Sequence, residues 1–315
     1  MKRRSLLHGL LASLIAPKAL GYSLDSNRST SLGPLAATLP DIETDAIGKS
    51  PGVAGHINTG FKDLDNLLGE LRDGSLIAIA SRPAMGKTCL ALAIAAHVAV
   101  NLHRPVAVFG APLSEQEIRA RMTASLARVD LWAAKQILSQ SDASPVMLAL
   151  QALASAPLLI DDRPFLNMGD LSTKVFWNNA QSGLRNGLTV VLAPELLEVE
   201  ATKPHRQSES CPLGGALVEM SKTFGGAVLC ELPLGRAVEE RDDKWPRLTD
   251  MVGFSRVLAR DADAILLLYR EAIYDADAPL NEAFITAVRN RFGPRGTTML
   301  AFTYDGGFAD YVWPI

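Results

Sequence analysis

The residues with the most evident chemistry in this 315-residue chain lie together at Ser81-Arg82-Pro83-Ala84-Met85-Gly86-Lys87-Thr88. A loop that ends in Gly-Lys-Thr where a helix begins is a phosphate cradle. Free backbone N–H groups at the helix N-terminus point at the anion, and the helix dipole favours negative charge there. Lys87 adds a point charge for the β and γ phosphates of a nucleotide, and Thr88 offers a hydroxyl to Mg²⁺. Together they read as a nucleoside triphosphate site with Mg²⁺ as its metal. Ser81 stands where the simple pattern has Gly, and it is small enough to leave the loop possible. No other side chains gather at such telling spacing. Cys89, Cys211 and Cys230 are far apart and read as reduced thiols rather than a disulfide framework. His103 and His205 lack metal-ligand neighbours and read as ordinary surface or loop residues.

Such a loop needs a strand before it and a helix after it. The apolar run from Ser75 predicts a strand over 75–80, and the Ala-rich run from Cys89 to Val100 predicts a helix over 87–100. The alternation continues along the chain. Further strands are predicted at 105–109, 157–160, 187–192, 226–231, 263–269, 283–290 and 297–303. Helices are predicted at 114–127, 130–140, 145–155, 168–182 and 213–224. This pattern argues for an α/β fold, a mostly parallel sheet flanked by helices, with a C-terminal hairpin turning at Gly293-Pro294-Arg295-Gly296. A hydrophobic content of 48% with 21% charged residues suits a packed core. A net charge of −3 gives no basic footprint, so any nucleic-acid site must be local or shared between subunits.

Residues 1–21 join Lys2-Arg3-Arg4 to an apolar stretch from Leu6 to Ala16 and small residues after it. That order describes an export signal, of a twin-arginine kind at Arg3-Arg4, or else a helix that docks on a neighbouring subunit. His8 and Gly9 interrupt the stretch, and its shortness argues against a stable membrane span. A nucleotide-dependent machine needs ATP, so the cytoplasm is the expected location and export the alternative. Ser, Asn, Thr, Gly and Pro mark 22–54 as a linker, with the folded domain expected over 55–315.

Several segments carry a family resemblance. Thr59-Gly60-Phe61-Lys62-Asp63-Leu64-Asp65, followed by the Ser81–Thr88 loop, resembles the C-terminal motor domain of DnaB-type replicative helicases. Further matches follow in order: Asp161-Asp162-Arg163-Pro164; Arg236-Ala237-Val238-Glu239 with Arg241, Asp243 and Lys244; Asp261-Ala262-Asp263 leading into Leu266-Leu267-Leu268-Tyr269-Arg270; and Arg291 before Gly293-Pro294. The resemblance implies a RecA-like P-loop NTPase fold, ATP and Mg²⁺ as ligands, and a place in DNA replication. It implies assembly as a homo-oligomeric ring, or a mixed assembly with an active helicase. It also implies that Arg291, with Arg289, acts as an arginine finger on the nucleotide of the neighbouring subunit.

Three family positions depart from the pattern. Pro112 stands where the family has the Glu that polarises the attacking water, and Leu192 where the Walker B Asp ends its strand. Pro233 stands where a Gln senses the γ-phosphate. Shifted by a residue or two, the same strands would offer Glu195 or Glu231 as the metal-supporting carboxylate, and Glu231 ends a strand that this fold sets beside the phosphate loop. Gly214-Gly215, and Met251-Val252-Gly253-Phe254 after Asp250, replace polar segments that the family uses for single-stranded DNA, so DNA contact is expected to be weakened. The expectation is a degenerate paralogue that binds ATP with impaired hydrolysis. The alternatives are an active ATP-dependent DNA helicase and a non-catalytic nucleotide-binding or assembly module.

Overall fold

The computed structural model describes residues 57–129, 145–164, 166–185, 187–197, 212–303 and 307–311. Its strands are β1 (Leu76–Ser81), β2 (Val106–Phe109), β3 (Leu158–Asp161), β4 (Leu188–Val191), β5 (Ala227–Pro233), β6 (Ala264–Tyr269), β7 (Glu282–Asn290), β8 (Gly296–Phe302) and β9 (Phe308–Asp310). Its helices are α1 (Lys62–Leu68), α2 (Lys87–Ala96), α3 (Glu115–Ala127), α4 (Pro145–Ser155), α5 (Met168–Ser182), α6 (Pro212–Phe224) and α7 (Gly253–Asp261). The predicted strands are all present, with ends displaced by one or two residues. The helix predicted at 130–140 and the expected segments 1–21 and 22–54 lie outside the described residues. No helix among the described residues is long and apolar enough to cross a membrane.

One sheet holds the strands in the order β3-β2-β4-β5-β1-β6-β7-β8-β9. Pairing is parallel from β3 through β6 and antiparallel from β6 through β9. The central strands β1 and β6 are buried at every residue, which is why they read in sequence as unbroken apolar runs. Alternate side chains divide the core between the two faces. Ile77 and Ile79 pack with Leu90, Leu92 and Ile94 of α2 and with Leu64 and Leu68 of α1. Ala78 and Ala80 pack with Leu171 of α5, Leu217 of α6 and Leu258 of α7. At Gly214, α6 comes so close to α7 that a Cβ there would lie 2.2 Å from Asp261 Oδ2.

The segment before β1 braces this arrangement. The backbone N–H and the hydroxyl of Thr59 both donate to Asp65 Oδ1, each at 2.7 Å. His97, in the π turn that continues α2, meets Asn58 Oδ1 at 2.6 Å. A Cβ on Gly60, whose φ is +84°, would lie 2.6 Å from that ring. The Thr59–Asp65 motif therefore locks α1 onto the end of α2, and its role here is architectural.

Candidate functional site

The Ser81–Thr88 loop joins the end of β1 to the start of α2, at the middle of the sheet. Gly86 is the N-cap of α2 and adopts φ +97°. A side chain there would be strained by that backbone, and its Cβ would stand 2.9 Å from Phe302 and 3.2 Å from Phe308. Ser81 is fully buried and donates its hydroxyl to the Arg82 carbonyl at 2.9 Å, so the departure from Gly is absorbed inside the loop. Met85 is buried, and its sulfur accepts the Arg270 backbone N–H at 3.3 Å. The Arg82 guanidinium turns outward to Glu239, at 2.9 and 2.5 Å, and to the Leu234 carbonyl at 2.7 Å. Arg82 and Met85 thus hold the loop on its two sides, while Pro83 and Ala84 are exposed at its tip. Lys87 and Thr88 open α2, where its unpaired N–H groups lie.

Thr88 has a partner that a family pattern does not point to. Its hydroxyl donates to Glu231 Oε2 at 2.8 Å. Glu231 is only 3% exposed, and its other oxygen, Oε1, has no hydrogen-bond partner among the described residues. Burial pushes its carboxyl up to about 7, against the pull of the Lys87 charge and the Thr88 hydroxyl; exposed Glu195 adds to the rise. A hydroxyl beside a carboxylate with an unfilled oxygen suits a hard divalent cation such as Mg²⁺. Among the described residues there is no group of three or more His, Cys, Asp and Glu that would hold a metal by itself. A cation here would therefore need a ligand's own oxygens.

Leu192, Pro112 and Pro233 do none of the polar work of this site. Leu192 is 7% exposed and belongs to the core on the α2 side of the sheet. Pro112 is exposed in the turn between β2 and α3, just before the capping box of Ser114 and Glu117. Pro233 closes β5 opposite Ser81. Cys89 and Cys230 are thiols in no disulfide, in line with the cysteine reading; burial pushes the Cys89 thiol up, and Cys211 lies outside the described residues.

The two arginines predicted as a pair part company. Arg289 turns back onto the end of α7, donating to the carbonyls of Ala259, Arg260 and Ala262 at 2.6, 3.2 and 3.4 Å. Arg291 lies just past β7, with a side chain 73% exposed and one bond to Asp263 Oδ1 at 3.0 Å. Asp263 also takes the N–H of Leu76, the first residue of β1. Arg291 is thus at the end of β1 opposite its own phosphate loop. The segment after β5 is knitted locally: Arg241 grips Asp250 at 2.6 and 3.1 Å. Asp161, at the end of β3, is buried between Lys174 and Arg163.

Residues 56–308 match the model of the DnaB-like helicase C terminal domain. The replicative DNA helicase DnaB of Geobacillus stearothermophilus is 31% identical over 249 residues, 78% of this chain and 54% of that protein. DnaB of Buchnera aphidicola subsp. Baizongia pistaciae is 30% identical over 306 residues, 93% of this chain and 64% of that protein. The chain therefore spans little more than half the length of such relatives. Among solved structures, the ATPase domain of G40P superposes with a TM-score of 0.73 at 24% identity, over 84% of this chain and 94% of that one. A DnaB-like replicative helicase described with its interactions with primase gives 0.71 at 24% identity, over 84% of this chain and 64% of that one. These two likenesses bear on the fold, the RecA-like arrangement.

Proposed function

Because the chain belongs to the DnaB-like helicase C-terminal domain family, we propose that it is a motor-type domain of DNA replication that binds Mg-ATP at the Ser81–Thr88 loop and hydrolyses it slowly. What supports this is a contrast between the phosphate loop and two positions that are polar in the family. The phosphate loop keeps its left-handed Gly86 cap, Lys87 and Thr88, whereas a base is missing at exposed Pro112 and Leu192 is sealed in the core.

The chain's own groups account for binding. The N–H groups that open α2 face the phosphates, Lys87 balances their charge, and the Thr88 hydroxyl would hold Mg²⁺. Mg²⁺, when bound, neutralises charge that develops on the β and γ oxygens. Orientation of the attacking water is what fails. A positioned base is worth roughly 10²–10⁴-fold, and Pro112 has no group to act as one. Exposed Arg291, at the sheet end away from its own loop, supports a finger that acts on a neighbouring subunit, in a ring of copies or a mixed ring with an active helicase. Arg289 would act there only by supporting α7. Single-stranded DNA is a weakened ligand in this reading, and the cytoplasm is the compartment.

Calorimetry and turnover on the same preparation of the full chain test it. Mg-ATP should bind, Lys87→Ala should abolish binding, and hydrolysis should be slow and unchanged by single-stranded DNA. Brisk, Lys87-dependent, DNA-stimulated hydrolysis would establish the active helicase instead. Absence of nucleotide binding would refute both.

A further inference from the structure

We propose that Glu231 is the positioning carboxylate of the divalent-cation site, taking over from the strand next door the support that Leu192 cannot give. The inference rests on the reading of the loop as a nucleotide site and adds which residue couples the metal to it.

The sheet register makes the substitution possible. In β4 and β5, Val191 pairs with Cys230, so Leu192, one step on, is level with Glu231. In β5 and β1, Glu231 pairs with Ile79. Leu192, Glu231 and Ile79 thus form one row across three parallel strands, and members of such a row leave the same face. That face is the one covered by α2: Leu192 and Ile79 belong to the core on that side, while Cys230 and Leu232, the neighbours of Glu231, belong to the other. A carboxyl group at Glu231 is therefore in the row of the lost one, on its face, and one strand nearer the strand that carries the phosphate loop.

The local chemistry says what it does there. Glu231 Oε2 receives the one proton of the Thr88 hydroxyl, at 2.8 Å. The lone pairs of that hydroxyl are then left for a cation, which is how an outer partner orients a metal ligand. Oε1 is buried and lacks a partner among the described residues, so a second acceptor remains for the water shell that Mg²⁺ keeps. A buried Glu with no such duty is a poor core residue, since an apolar side chain fills the same space without stranding an oxygen. Glu195 follows β4 on an exposed turn, where it lacks the burial of Glu231.

The test is calorimetry of ADP with the full chain, in Mg²⁺ and in EDTA. The native chain should bind ADP in both, more tightly with Mg²⁺. Glu231→Gln and Glu231→Leu should reduce the Mg²⁺-dependent gain by roughly 10–100-fold while leaving affinity in EDTA unchanged. Leu192→Asp added to Glu231→Gln should restore the gain, which a merely structural role would not allow. Glu195→Gln should leave it intact. Mn²⁺ followed by electron paramagnetic resonance in the presence of ADP should rank the variants the same way. The inference is overturned if the Glu231 variants keep the full gain, if they lose affinity equally in EDTA, or if the native chain binds ADP with no gain from Mg²⁺. A native chain that binds no ADP in either buffer brings down the nucleotide reading, and this inference with it.

Discussion

Glu231 buries a carboxyl group almost completely, and that has a pH signature. Its folded pKa of about 7 lies above the ordinary value of 4.5, so the folded chain binds this proton more tightly than the unfolded chain. The site is stability-neutral below the unfolded value and costs stability as pH rises through the folded one. At pH 8 the cost is about 3 kcal/mol. In metal- and nucleotide-free buffer, Glu231→Gln should therefore melt above the native chain at pH 8, and the gap should close between pH 7 and 4.5. Thermal scans across that window check it. Gly86→Ala should act oppositely: it forces a methyl group into a left-handed cap and onto Phe302, costing at least about 1 kcal/mol, and should abolish ADP binding. Pro112→Glu should raise ATP turnover if the rest of the site is sound, in a steady-state assay. The loop was legible in sequence because its residues are consecutive. The contact of Thr88 with Glu231 was not, since the two are 143 residues apart and meet only when β5 is laid beside β1. What sequence offered was a choice between Glu195 and Glu231, which only strand register separates.

Among the elements, α7 has the clearest test. Its C-terminal carbonyls are capped by Arg289, a charged donor from β7. Arg289→Ala should cost about 1.5–3 kcal/mol in urea unfolding. Arg291→Ala should change stability by less than about 0.5 kcal/mol, because its side chain is largely in water, and should lower ATP turnover or oligomer formation instead. Equal stability losses would remove the ground for separating the two arginines. Sequence spacing placed both on one strand face, but β7 ends at Asn290, so Arg291 belongs to the turn. The same long-range logic explains the elements that periodicity passed over. Helix α7 sets Phe254, Val257 and Leu258 at helical spacing, but it is only nine residues long, opens on Gly253 and has no side-chain cap, so nothing in sequence marked its start. Strand β9 is three residues long and exists by pairing with β8. The buried strands β1, β4, β5 and β6 were legible because a parallel interior demands apolar side chains on both faces.

Across the whole molecule, the sheet is not laid down in the order of the chain. Strand β1 is the first made and sits between β5 and β6; its first residue, Leu76, donates to Asp263, 187 residues later. During synthesis the segment that will cradle phosphate is therefore complete long before it has a shape. Contacts of such separation form slowly, because chain entropy is lost before they repay it. A nascent chain that stops short of Ala264 contains every residue of the loop but leaves one flank of β1 bare, and it should not capture ADP. On dilution from urea, recovery of ADP capture should lag behind recovery of helical circular dichroism, since helices close locally and β1 must wait for both neighbours. Simultaneous recovery would mean that the loop takes form without β6. Strand order thus predicts nucleotide capture as a late checkpoint of maturation: an unfinished chain should carry the motif without competing for ATP.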